Sequence, residues 1–143
     1  MTLSQHLPKI VIALVLIGGV AVIGSKFSGP SDADAMVAVT VPDLSPTARL
    51  GEKLFSDNCA QCHGANGAGG KGGPPLIHNI YNPGHHDDMS FQRAAKSGVP
   101  RHHWQFGDMP PQPQVNPGQV AEIVFYVREV QMANGIFFQQ HKM

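Results

Sequence analysis

The chain is short of charge and of cysteine, and each shortage removes a class of function. Only 14% of its 143 residues are charged, with ten Lys and Arg against ten Asp and Glu. A formally neutral chain lacks the basic stripe needed to hold a phosphate backbone, so no nucleic-acid partner is expected. Two cysteines leave no second pair to complete a four-ligand structural zinc site. No strand pattern leads into them, which argues against the strand-to-helix setting of a thioredoxin-type redox pair. No internal repeat is evident. What the chain does hold in quantity is glycine and proline between residues 64 and 118, with six glycines from Gly64 to Gly73. That composition predicts a loop-rich domain wrapped round something other than its own side chains.

The two cysteines stand in Cys59-Ala60-Gln61-Cys62-His63. A C-x-x-C-H pentapeptide is the attachment signature of a c-type haem. Two thiols three positions apart can each add to one vinyl group of a single haem, and the residue that follows is then held beneath the iron. His63 is the expected proximal ligand. A Cys2His2 zinc site drawing on His78, His85 or His86 is disfavoured, because none of these has a partner at the usual H-x(3 to 5)-H spacing.

An apolar run, Ile10 to Gly24, is bracketed by Lys9 and Lys26. The stretch between the lysines would span about 24 Å as a helix against a hydrocarbon core of about 30 Å, a gap that snorkelling lysines can close. Gly24-Ser25-Lys26-Phe27 is a poor cleavage site, so an uncleaved anchor is favoured over a removed signal. The expected organisation is a membrane anchor or uncleaved signal over 1–27, a flexible linker over 28–44 and a folded domain over 45–143. Such a domain would face the periplasm or the outer side of a bacterial cytoplasmic membrane. Within the linker, Val37 to Val41 is the stretch that can lie against the domain as an edge strand.

Three helices are predicted. Ser45 as N-cap and Pro46 at the first position open one that presents Leu50, Leu54 and Phe55. Asp87 or Asp88 caps a second through Lys96, stopped by Gly98. Asn116-Pro117-Gly118-Gln119 opens the third, with Val120, Ile123, Val124, Val127 and Val130 along one face and a stop near Asn134-Gly135. Phe137 and Phe138 are candidates to dock back on the domain.

In this order, helix, C-x-x-C-H, glycine loop, middle helix, late methionine and final helix, the segment from Ser45 to about Gly135 resembles a class I (mitochondrial-type) cytochrome c domain. The resemblance implies an all-α fold of three to four helices and long loops around one covalent haem c. It implies a close crossing of first and last helices, where Gly51 and Phe55 look like the family's pair and Tyr126 like the answering aromatic. Gly73-Pro74-Pro75-Leu76 is similar to the family's G-P-x-L element, whose proline carbonyl accepts the proximal histidine's second ring proton. Pro75 stays open as the carbonyl donor beside Pro74. Met109, in Gly107-Asp108-Met109-Pro110-Pro111, is similar to the family's distal ligand. His102 and His103 are its rivals, while Met89 and Met132 read as packing residues. Trp104 and Arg101 are candidates for a haem propionate, with Trp104 equally readable as haem wall.

The haem-binding set so implied is Cys59, Cys62, His63, Met109, Pro74, Leu76 and Trp104, with His63 and Met109 on the metal. The implied function is one-electron transfer between redox partner proteins, by a carrier with no small-molecule substrate and no catalytic residue. The alternatives are a haem enzyme or sensor with an open or bis-histidine distal site, and a subunit of a larger oxidase or reductase. His85-His86-Asp87-Asp88 reads as an exposed polar start to the middle helix, because adjacent histidines alternate direction and rarely share a metal unless the loop curls.

Overall fold

The structure, a computed structural model, describes residues 36–140. The anchor expected over 1–27 lies outside the described residues. Among those described, no helix is long and apolar enough to cross a membrane.

The described chain is helical with long loops and has no strand. Its helices are α1 (Pro46–Asn58), α2 (Ala60–His63), α3 (Asp88–Ser97) and α4 (Pro117–Ala133). Local chemistry sets three of the starts. Ser45 Oγ accepts from the Ala48 amide, and Pro46 follows where no amide hydrogen is needed. Asp87, not Asp88, caps α3 through the Ser90 amide. Asn116 and Gln119 exchange side-chain and backbone bonds in a complete capping box at α4.

The core lies where α1 crosses α4. From α1 it takes Ala48, Gly51 and Phe55; from α4, Val120, Ile123, Val124, Tyr126, Val127 and Val130. Gly51 is what permits the approach, since a Cβ there would stand 1.9 Å from the Glu122 carbonyl oxygen and 2.9 Å from Tyr126 Cβ. Phe55 and Tyr126 then meet at 5.6 Å between ring centroids. Glu129 of α4 ties down the start of α1, accepting from the Ser45 amide at 3.0 Å and its hydroxyl at 2.5 Å.

Leu50 departs from expectation. It is 58% exposed, because the buried face runs Ala48, Gly51, Phe55 and Leu50 lies about 200° round the helix from Ala48. The linker expectation also changes from Val37 onward. Val37 donates to Ala68 O at 2.8 Å, and Thr40 exchanges two bonds with the Asn134 side chain at 2.9 and 2.7 Å. Val37, Val39 and Val41 pack on the core, though without forming a strand. At the other end Ile136 is buried, whereas Phe137 and Phe138 are exposed and do not dock.

Candidate functional site

A cavity of about 420 Å³ opens beside the α1–α4 crossing, and most of the expected site residues meet on its wall. Cys59, His63, Pro74, Leu76, Trp104 and Met109 all line it. Cys62 does not; it is exposed, one turn away on α2.

The helical turn through the pentapeptide is direct. The amides of Cys62 and His63 both donate to Cys59 O, at 3.1 and 3.0 Å. This turns His63 inward, where Nδ1 donates to Pro74 O at 2.9 Å. Pro74 therefore supplies the carbonyl, not Pro75. A carbonyl only accepts, so Nδ1 must carry the hydrogen and Nε2 keeps its lone pair. Burial pushes the His63 pKa down, opposed by the Pro74 bond, which favours the neutral ring that a metal needs. Burial, with Cys62 nearby, pushes the Cys59 thiol up to about 11.

Met109 is held by its backbone. It exchanges both amide bonds with Val99 at 2.9 Å, closing the loop 99–109. Gly98, at φ 74°, makes room for this pairing, since a Cβ there would lie 2.5 Å from Met109 O. Met89 and Met132, expected as packing residues, are 58% and 51% exposed, and among the described residues Met109 is the methionine that lines the cavity.

The same loop brings Arg101, His102, His103 and Trp104 to the wall. Trp104 Nε1 is buried and, among the described residues, makes no hydrogen bond of good geometry, although it faces the Tyr81 hydroxyl. The Tyr81 hydroxyl is near enough to feel the indole, which pulls against the desolvation that pushes Tyr81 up to about 12. A buried donor without an acceptor costs about 1 to 3 kcal/mol, so this indole is suited to an anionic group entering the cavity.

Sequence reasoning missed the pair that organises the wall from behind, Arg128 and Gln131. The Arg128 guanidinium donates to Tyr81 O at 2.8 Å, His86 O at 2.6 Å and Asp88 Oδ1 at 2.8 Å, with its carbon 4.9 Å from the Phe91 ring centroid. Gln131, fully buried, accepts from Arg128 and donates to Leu76 O and Tyr81 O at 2.9 and 3.1 Å. A polar residue in the apolar register of α4 was the available signal. The histidine pair also departs from expectation. The amides of His85 and His86 both donate to Asn82 O, at 3.0 and 2.9 Å, in a curl that sets the two rings 4.6 Å apart.

Residues 48–131 match the family described as Cytochrome c. The chain is 37% identical over 80 residues to "Cbb3-type cytochrome c oxidase subunit CcoP" of Rubrivivax gelatinosus. That match takes in 54% of this chain but only 24% of the relative's length. No solved structure matches. With the family match running from the buried face of α1 to the last turn of α4, the chain belongs to the cytochrome c family and carries a covalently bound haem c.

Proposed function

We propose that the chain is a one-electron carrier whose haem is attached through Cys59 and Cys62, with His63 as proximal and Met109 as distal ligand. The observation that carries this reading is the His63–Pro74 hydrogen bond, which leaves Nε2 as the free donor of a residue lining the same cavity as Cys59 and Met109. When bound, the haem supplies reversible ferric–ferrous chemistry. The donor set suits it: two thiols to add across vinyl groups, a neutral imidazole, a thioether, and a buried indole N–H for a propionate.

The chain's own residues then have separate tasks. Pro74 fixes the plane and basicity of the His63 ring. The Val99 bridge and the flanking Pro110 and Pro111 keep Met109 in a stiff loop, so little entropy is lost on ligation. Leu76 and Phe55 keep water from the cavity wall. Redox partner proteins would dock briefly at its exposed side, for which small interfaces suffice. The lysine-bracketed run from Ile10 to Gly24 would tether the domain to a bacterial cytoplasmic membrane, facing the periplasm or outer side.

Two other readings each have an observation behind them. His102 and His103 also line the cavity, which favours a bis-histidine iron or an enzyme or sensor site. The oxidase-subunit name of the CcoP relative favours work inside a larger oxidase. A spectroelectrochemical titration separates the carrier from the enzyme or sensor. The carrier reading expects one reversible one-electron wave with a low-spin, six-coordinate haem in both redox states. A five-coordinate, high-spin ferrous form that binds carbon monoxide at once would overturn it.

A further inference from the structure

Outside the expected haem donors, one group of side chains is assembled by long-range structure and has no task in the carrier reading. Asn82 shapes the loop that carries two of them, accepting from the Gly84 amide with its side chain at 2.9 Å and from His85 and His86 with its carbonyl. The Val99–Met109 bridge closes the loop that carries the third, His103. Across the junction His85 Nε2 and His103 Nε2 stand 3.1 Å apart, and the His86 and His103 rings 5.2 Å apart. One ring nitrogen from each of His85, His86 and His103 lies within 4.8 Å of the other two.

We propose that His85, His86 and His103 form a three-imidazole site for a borderline divalent transition-metal ion, zinc(II) or copper(II), at the solvent-facing side of the haem cavity. Three observations carry it. First, a tetrahedral ion bound at about 2.0 to 2.1 Å from each nitrogen sets nitrogen–nitrogen edges of about 3.3 Å. The His85–His103 pair is already close to such an edge, and a ring nitrogen of His86 lies within 4.8 Å of both, on side chains exposed enough to adjust.

Second, His86 Nδ1 donates to Ile80 O at 2.7 Å. That bond fixes the tautomer and leaves Nε2 as the ligating atom, the outer-shell arrangement typical of metal-bound histidine. Arg128 holds the same residue by its carbonyl, so the ligand's backbone is clamped as well.

Third, the chemistry of the donors selects the ion. Three neutral imidazoles offer no oxygen and no net charge, which suits zinc or copper and not calcium or magnesium. Arg128, the cation whose charge bears on His86, is countered by Asp88 at 2.8 Å. Asp87 is engaged in capping α3 through Ser90, so the fourth position falls to water or an exogenous group.

The test is calorimetric titration of the untagged, full-length haem protein with zinc chloride after chelator treatment, repeated with copper(II) and electron paramagnetic resonance. One equivalent should bind, and His85→Ala and His103→Ala should each weaken it about tenfold or more. Copper should show hyperfine coupling to several nitrogens. The visible spectrum should be unchanged in His85→Ala, whose ring does not line the cavity, which shows that the haem site is intact and separates this site from iron ligation. Absence of saturable binding, or affinity unaltered in both variants, overturns the proposal. So does loss of the low-spin spectrum in His103→Ala, which would assign that ring to the haem iron.

Discussion

Gln131 shows what a single residue contributes to the haem wall. Its amide is fully buried in α4, yet it serves Leu76 O, Tyr81 O and Arg128. In Gln131→Leu, Tyr81 O keeps its bond from Arg128, so the main loss is the donor to Leu76 O. Stranding one buried carbonyl costs about 1 to 3 kcal/mol, and that is the expected fall in unfolding free energy. Guanidinium denaturation of the oxidised haem protein measures it, and an unchanged midpoint would refute this role. Periodicity picks out the apolar positions of this face and passes over a glutamine, and what Gln131 serves was not legible because its partners lie some fifty residues away in a loop with no pattern of its own. The opposite holds for His63, where the motif names the residue and local helical bonds suffice to aim it.

At the scale of elements, the crossing of α1 and α4 depends on the absence of a side chain. Gly51→Ala places a methyl group against the Glu122 backbone, which cannot rotate away as a side chain can. Overpacking of this kind costs about 1 to 3 kcal/mol, and contact with backbone puts the expected value near 3. Thermal unfolding of the variant should show it; a melting temperature equal to the parent's would mean that the helices separate without cost. Helix starts were legible because caps and first-turn prolines act within four residues. The core face of α1 was legible only in part. Leu50 has the hydrophobicity of a core residue but lies on the wrong side of the helix, and glycine at the true contact carries no hydrophobic signal. The packing of residues 37–41 was illegible for another reason, since Thr40 is fixed by Asn134, 94 positions along the chain. Distance also hid the histidine cluster, in which a curl at Asn82 and a bridge at Val99 must both form before His85 meets His103.

For the whole molecule there are two claims, one on residues outside the described domain and one on the haem site within it. The first is attachment to a membrane by the run from Ile10 to Gly24. Protein from a native host should stay with membranes through high-salt washing and leave with detergent; a soluble product beginning near Ser28 or Met36 would contradict it. The second and central claim is that both axial positions of the haem are filled from the chain, by His63 and Met109, so that electrons and not ligands pass through the site. The domain's design bears on it as a unit: α1 and α4 support one wall, the glycine loop delivers Pro74 to His63, and the Val99 bridge delivers Met109. A thioether favours ferrous iron over ferric, so replacing it should lower the reduction potential. In Met109→Ala, His102 and His103 stand within a few residues and can take the place of sulfur at high effective concentration. The decisive measurement is the thioether-to-ferric-iron charge-transfer band of the oxidised protein. The account predicts the band in the parent and its absence, with a lower potential, in Met109→Ala; a band that survives the substitution, or a parent that never shows one, would contradict it.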